Sequence, residues 1–156
     1  MAQREHRPVR RDVWTARARA HWEEHGFGQW VVERASEASL IGVVGLSALS
    51  FDAPFTPAVE IAWRLARPYW GRGYATEAAR AAVDHSFGEL DLSEIVAVTV
   101  PANQRSRMVM EHFGIRRSPE GDFDHPRLRE GPLKRHVLYR LGNPEGAAAY
   151  LSERRG

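Results

Sequence analysis

Apolar residues recur along this chain at two different spacings. Runs rich in β-branched and aromatic side chains predict strands, because such residues suit a pleated and partly buried surface. The predicted strands are residues 28–34, 39–51, 58–65, 93–100 and 135–141, with a further short strand that opens at Ile115. The first two flank a polar turn and should pair as a hairpin. The continuous apolar run of the fourth is typical of a strand buried on both faces.

Three other stretches place apolar residues at the spacing of a helix face. They are residues 12–25 with Asp12 as a candidate N-cap, residues 76–87, and residues 103–113 with Asn103 as a candidate N-cap. Residues 117–133 contain three prolines and two glycines, which predicts a long loop. The resulting order of elements predicts an α/β (α+β) fold in which helices cover the faces of a mixed sheet.

Length and composition indicate one domain. The chain has 156 residues, of which 43% are hydrophobic and 27% are charged, enough for a single core. We predict a basic N-terminal arm in residues 1–11, the domain in residues 12–142, and a tail with a short terminal helix in residues 143–156. No apolar run approaches the roughly 20 residues that span a bilayer, and the basic start is not followed by the apolar stretch of a secretory signal. We therefore expect a cytoplasmic protein with no membrane partner.

The absence of cysteine and the composition of the charged residues restrict the kinds of site that this chain can form. The chain has no cysteine, which excludes disulfides, thiolate metal sites and cysteine nucleophiles, and no metal site is predicted. Its basic residues are 21 Arg and one Lys, and the net charge is +2. The Arg clusters leave two interpretations open, a solvated Arg-rich surface or a surface for a polyanion such as RNA, and the first is favoured.

The stretch from Trp63 to Thr76 carries the first candidate site. A predicted strand ends there in the turn Gly71-Arg72-Gly73, and a predicted helix follows. The first N–H groups of a helix have no partner within it and attract anions, and glycines let a phosphate approach the backbone. The turn lacks the Lys-Ser/Thr end of a P-loop and the third glycine of the dinucleotide-binding fingerprint. Taken alone, the glycines could equally serve only to turn the chain.

Two sequence motifs that follow each other along the chain give this turn a more specific interpretation. Trp70-Gly71-Arg72-Gly73-Tyr74-Ala75, with its flanks VEIAWRLARPY and TEAARAAVDHSF, resembles the coenzyme A pyrophosphate loop of the Gcn5-related N-acetyltransferase (GNAT) superfamily. It is most similar to the branch of the ribosomal-protein N-terminal acetyltransferases. The segment from Asn103 through Ser106 to Gly114 and Ile115 resembles the N-x-x-S helix of that branch. The resemblance covers residues 27–141.

The resemblance implies a GNAT-like, mostly antiparallel central sheet flanked by helices, with two departures. The superfamily loop usually begins with Gln or Arg, where this chain has Trp70. The usual first strand and helix have no counterpart before residue 12, so we expect a sheet that lacks them. That would leave an exposed sheet edge, a truncated acceptor pocket or a place for a second subunit, and a homodimer is therefore possible.

The resemblance also implies acetyl-CoA as co-substrate and a set of binding residues. Backbone N–H groups of the turn and the following helix would bind the pyrophosphate, namely those of Arg72, Gly73, Tyr74, Ala75 and Thr76. The edge of the strand that contains Trp63 and Leu65 would pair with pantetheine like an additional strand and polarise the thioester carbonyl. Asn103 would contact the pantetheine amides, and Arg107 would reach the nucleotide phosphates.

Catalysis by direct attack of an amine on the thioester needs a base for the amine and a donor for the departing thiolate. Glu60, on the more polar face of its strand, is the candidate base and would act through water; its alternative role is a surface carboxylate. Ser106 is the candidate donor, with Tyr139 as its rival. His125 and His136 could contact the acceptor, but neither is assigned a catalytic role.

These residues together predict an acetyl-CoA-dependent N-acetyltransferase, an acyltransferase that acts on a primary amine. The acceptor would be a protein N-terminus, a peptide or a small molecule. One alternative is a non-catalytic coenzyme A-binding sensor or assembly module, suggested by the short N-terminus. Another is an RNA-associated acetyltransferase, suggested by the Arg clusters, although nucleic acid is the less favoured partner.

Overall fold

A computed structural model describes residues 8–37 and 39–144, with side chains from Asp12 onward. Its helices and strands follow the order inferred from the apolar spacing. They are α1 (Pro8–His25), β1 (Gln29–Arg34), β2 (Ser39–Ala48), β3 (Val59–Leu65), α2 (Tyr74–Gly88), β4 (Glu94–Thr99), α3 (Gln104–His112), β5 (Arg116–Arg117), β6 (Phe123–Asp124) and β7 (Arg135–Gly142). Short 3-10 helices lie at Arg67–Tyr69 and Pro119–Gly121.

The strands form one mixed sheet with the order β1-β2-β3-β4-β7-β5, and β6 also pairs with β7. Among the described strands, β3 and β4 are the one parallel pair, and every other pairing is antiparallel. This arrangement confirms the predicted α/β class with a mostly antiparallel sheet. Strand β1 forms one edge of the sheet.

Several predicted boundaries were wrong. Asp12 is not the N-cap of α1, because the helix already begins at Pro8, where the fixed φ of proline suits the first turn. Residues 8–11 of the predicted basic arm are therefore helical. Helix α2 begins at Tyr74 rather than at Thr76, and β2 ends at Ala48. The start of the arm, residues 1–7, and the predicted terminal helix beyond residue 144 lie outside the described residues.

The predicted long loop at residues 117–133 also contains regular structure that the sequence analysis missed. Within it, Phe123 and Asp124 pair with β7 as strand β6. The sequence does not reveal this strand, because two residues are too few to show the alternation of apolar and polar side chains. Prolines and glycines on both sides also favour the interpretation as a loop. Its apolar residue, Phe123, is 6% exposed and belongs to the core.

Apolar side chains fill both faces of the sheet. The larger cluster lies between the sheet and α2, where the small residues Ala79 and Ala82 allow close approach to Ile61, Ile95 and Ala97. A smaller cluster on the opposite face contains Phe55, Val96, Phe123 and Leu138. None of the described helices is both long and apolar enough to cross a membrane.

The close pairing of β1 and β2 gives a stability prediction. A Cβ atom at Gly45 would lie 2.4 Å from the Gly28 carbonyl oxygen and 2.5 Å from the Gln29 Cα, both of which are backbone atoms. Gly45→Ala should therefore force the strands apart and lower the free energy of unfolding by roughly 2 kcal/mol or more, as measured by urea denaturation. Gly88→Ala is the control, because nothing lies within 4 Å of a Cβ there. Equal stability of the two variants would contradict the observed register.

Candidate active site

A cleft opens where β3 and β4 separate. The two strands are paired at one position of the described sheet, Glu60 opposite Val96. Beyond that point toward their carboxyl ends, the space between them is a cleft of about 700 Å³. One wall is residues 60–65 of β3, and the other comes from the end of β4 and from α3. The parallel pair thus creates a wedge whose closed end is at Glu60.

The cleft-facing edge of β3 carries backbone groups that no strand pairs. The Ala66 N–H donates to the Ile41 carbonyl of β2 at 2.8 Å. Because backbone groups of successive strand residues point to alternate sides, those of Trp63 and Leu65 point away from β2 and into the cleft. The Leu65 carbonyl accepts a hydrogen bond from the Trp70 indole Nε1 at 2.8 Å. Of the two residues predicted to pair with pantetheine, Trp63 therefore directs its backbone groups into the cleft, whereas the carbonyl of Leu65 already accepts one hydrogen bond from Trp70.

The glycine turn lies at the open part of the cleft. Gly71 and Gly73 have φ values of 71° and 81°, a left-handed conformation that favours glycine. Gly73 is the N-cap of α2, and the first N–H bonded within the helix is that of Glu77, to the Gly73 carbonyl at 3.0 Å. The preceding N–H groups, on residues 74–76, are free of intrahelical partners. Gly73, Tyr74, Ala75 and Thr76 line the cleft, whereas the exposed Arg72 side chain does not.

Helix α3 presents Asn103 and Ser106 to the same cleft. As predicted, Asn103 is the N-cap, and its Oδ1 accepts from the Ser106 N–H at 3.3 Å. Its Nδ2 donates to Thr99 Oγ1 and to Ser106 Oγ, each at 3.0 Å. The amide donors of Asn103 are thus engaged within the protein. The Ser106 hydroxyl accepts from Asn103, which leaves its own proton available to a group in the cleft.

Tyr139 and Arg107 lie outside the cleft lining and bind each other. The Tyr139 side chain is fully buried, accepts a hydrogen bond from Arg107 Nε at 2.9 Å and donates to Glu111 Oε1 at 3.2 Å. Arg107 also donates from Nη1 to the Pro101 carbonyl at 3.0 Å. Both groups therefore tie α3 to β7. The phosphate role of Arg107 and the donor role of Tyr139 stay predictions that these contacts do not favour.

Glu60 occupies an apolar position at the closed end of the cleft. Side chains alternate along a strand, and Ile61 faces the larger core cluster, so Glu60 points to the opposite face beside Val96. Burial raises the pKa of its carboxyl group from 4.5 to about 7. No hydrogen-bond donor or cation within the described part of the chain contacts the carboxylate. It still lines the cleft, so Glu60 is not the freely solvated carboxylate of the alternative interpretation.

The sequence analysis missed two residues at the open end of the cleft. Trp70 and Arg105 both line it, and the Arg105 guanidinium lies over the Trp70 ring. Arg105 stands in the quoted motif two residues before Arg107, but only the direction of each side chain from α3 distinguishes them. The rings of His125 and His136 lie 5.2 Å apart at an interplanar angle of 53° beside Phe123, and neither residue lines the cleft. No group of three or more His, Asp or Glu side chains among the described residues is placed to hold a metal ion.

A model of a known protein family matches most of this sequence. The model described as the acetyltransferase (GNAT) domain matches residues 2–116. The chain belongs to the GNAT family. Named relatives include the uncharacterized protein YkkB of Bacillus subtilis, 32% identical over 91 residues, which are 58% of this chain and 52% of the relative. The FsC-acetyl coenzyme A-N(2)-transacetylase of Aspergillus fumigatus is 35% identical over 94 residues, 58% of this chain and 39% of the relative. This GNAT chain thus spans about half the length, or less, of these two relatives.

Solved structures show the same GNAT fold. An acetyltransferase from Agrobacterium tumefaciens is 28% identical, with a TM-score of 0.65 over 89% of this chain and 74% of that one. The ribosomal-protein-S5-alanine acetyltransferase of Vibrio fischeri is 23% identical, with a TM-score of 0.71 over 93% of this chain and 79% of that one. At that identity the second likeness concerns the fold alone.

The raised pKa of Glu60 gives a prediction about stability. The folded protein holds the Glu60 proton up to about pH 7, whereas an unfolded chain releases it near 4.5, so this group makes folding less favourable as pH rises between these values. Glu60→Gln should remove that component, and its stability relative to the parent protein should rise from pH 4.5 to 7.5 by up to roughly 3 kcal/mol. Urea denaturation across this range measures the difference.

Glu89→Gln is the matched control, since it removes one exposed carboxylate outside the cleft. If the stability difference between Glu60→Gln and the parent protein were constant with pH, the pKa of Glu60 would be unshifted and the apolar surroundings described for it would be wrong.

Proposed function

We propose that this chain is an acetyl-CoA-dependent N-acetyltransferase acting on a primary amine. The observation that carries the proposal is one cleft with an unpaired strand edge, an unsatisfied helix N-terminus at one end and a carboxyl group with a pKa of about 7 at the other. These three features match, in order, the amides, the phosphates and the reacting end of an acyl-coenzyme A. Family membership supports the same co-substrate.

The binding part of the proposal uses backbone groups. The amides of pantetheine would pair with the edge of β3 at Trp63 and Leu65, as an added strand does. The pyrophosphate would accept hydrogen bonds from the N–H groups of residues 73–76, which the partial positive charge of the helix terminus strengthens. The glycine turn leaves the backbone open for the second contact, because nothing lies within 4 Å of a Cβ atom at Gly71 or Gly73.

The chemical step that we propose is direct transfer. The amine nitrogen attacks the thioester carbonyl, the new C–N bond forms as the C–S bond breaks, and the sulfur leaves as a thiolate. Glu60 takes the amine proton through a water molecule, and Ser106 donates a hydrogen bond to the sulfur. Backbone N–H groups of β3 polarise the carbonyl oxygen. A base with a pKa near the working pH is suited to this role, because it is partly ionised before it accepts a proton.

The acceptor is proposed at the level of its reactive group, a primary amine. Names of relatives point to different amines: spermidine for an N-acetyltransferase of Vibrio cholerae and the alanine of ribosomal protein S5 for the Vibrio fischeri enzyme. Similarity to the N-terminal acetyltransferase branch makes a protein N-terminus the first class to test. A cytoplasmic location and a homodimer stay predictions.

Binding of acetyl-CoA is the first prediction. At about 100 times its dissociation constant, acetyl-CoA should add about 2.7 kcal/mol to the stability of the protein, which a thermal-shift titration detects. Acetyl-pantetheine, which lacks the phosphates, is the control ligand and should shift the transition less. The absence of any shift with acetyl-CoA in folded protein would contradict the proposal. Binding without acetylation of any amine in a broad panel would favour the non-catalytic sensor instead.

The role of Glu60 gives a kinetic prediction. In the parent protein, kcat/KM should rise with pH and level off above about pH 7, as the carboxyl group loses its proton. Glu60→Gln should lower kcat at pH 7 by about a hundredfold or more, and by less at pH 9 to 10, where more of the acceptor amine is already deprotonated. Steady-state rates measured by thiol release test this, with Glu89→Gln as the control. An equal loss at every pH would show that Glu60 is not the base.

A further inference from the structure

Trp70 lies at the open end of the cleft and is fixed from two directions. Its indole Nε1 donates to the Leu65 carbonyl at 2.8 Å, and its backbone N–H donates to the Arg67 carbonyl at 3.2 Å. The side chain nevertheless remains 46% exposed. An exposed aromatic ring held this firmly serves as a rigid support for whatever lies on it.

Two guanidinium groups lie over this ring. The Cζ atom of Arg105 is 5.3 Å from the ring centroid, and that of Arg67 is 6.0 Å away, both within the range of cation–π contacts. Neither side chain has a carboxylate partner in the described part of the chain. Arg105 also lines the cleft, in the first turn of α3 and across from the glycine turn. The ring thus holds an unpaired cation at the cleft.

The position of this cation along the cleft suggests what it binds. If the thioester lies at Glu60 and the pyrophosphate at the start of α2, the adenosine of coenzyme A must extend past the glycine turn, toward the open end. That adenosine carries a 3′-phosphate, which an acyl donor built on 3′-dephospho-coenzyme A lacks. Arg107 is a poorer candidate for this group, since its Nε and Nη1 already donate to Tyr139 and to the Pro101 carbonyl and its side chain does not line the cleft.

We propose that Arg105, held against Trp70, binds the 3′-phosphate of coenzyme A and makes the protein select donors that carry it. This inference rests on the proposed function. The planar guanidinium can stack on the indole and still direct N–H groups at a phosphate, which the ammonium group of lysine does less well. The stacking limits the rotamer freedom that a free surface arginine would lose on binding.

The test compares donors with and without the phosphate. Isothermal titration calorimetry with coenzyme A and with 3′-dephospho-coenzyme A should show that the parent protein binds coenzyme A roughly three to ten times more tightly, an effect expected of an exposed charged contact. In Arg105→Ala the two affinities should become equal, through weaker binding of coenzyme A alone. In Arg105→Lys part of the preference should remain.

Two further variants test whether the preference for the 3′-phosphate depends on the stacking of Arg105 on Trp70 or only on positive charge. Trp70→Leu removes the ring while leaving Arg105 in place, and it should reduce the preference for the 3′-phosphate. Arg116→Ala removes one exposed positive charge on β5, outside the cleft, and should keep the full preference. All four variants alter exposed side chains, and circular dichroism confirms that each one is folded.

The outcomes distinguish this inference from the proposed function. If the parent protein binds coenzyme A but does not prefer it over the dephospho form, the role of Arg105 is refuted while the proposed function stands. The same holds if Arg105→Ala weakens both ligands equally. If neither ligand binds at all, the proposed function fails and this inference fails with it.

Discussion

The separation of two parallel strands is the constraint on which the rest of the site depends. Strands β3 and β4 meet at Glu60 and Val96 and then diverge, so the edge of β3 keeps backbone N–H and C=O groups without a strand partner. Buried backbone groups need partners, and a ligand with amides of its own can supply them. The same divergence makes room for α3 and the glycine turn to face each other across the cleft. The binding proposed for this cleft would therefore depend on sheet geometry more than on any side chain.

The two ends of the cleft have opposite electrostatic character. At the closed end, burial disfavours the charged form of Glu60 and raises its pKa to about 7. At the open end, the unpaired N–H groups of α2 and the guanidinium of Arg105 favour negative charge. A molecule with phosphates at one end and an uncharged reacting group at the other fits this gradient in only one direction. The charge distribution would thus favour one orientation of the proposed donor.

Polar groups close to the cleft have structural roles that limit the catalytic candidates. Tyr139 and Arg107 hold α3 on β7, and the amide donors of Asn103 hold the start of α3 on the end of β4. These contacts fix where Ser106 lies. In the proposed reaction that position matters, because a hydroxyl must be within hydrogen-bond reach of the thioester sulfur to assist its departure. A residue named by a motif can therefore act by positioning its neighbour.

The sequence by itself determined which segments are strands or helices, the glycine turn and the superfamily, because local spacing, turn residues and short motifs carry that information. The start of α1 at Pro8 was missed although proline at the first helical position is a local signal. The short strand at Phe123 was missed because only its pairing with β7 defines it. Only the tertiary structure decided that Arg105 rather than Arg107 lines the cleft, that Tyr139 is withdrawn into the core, and that Glu60 has a raised pKa. Each of these depends on which distant elements surround a side chain, and desolvation and hydrogen bonding are properties of those surroundings.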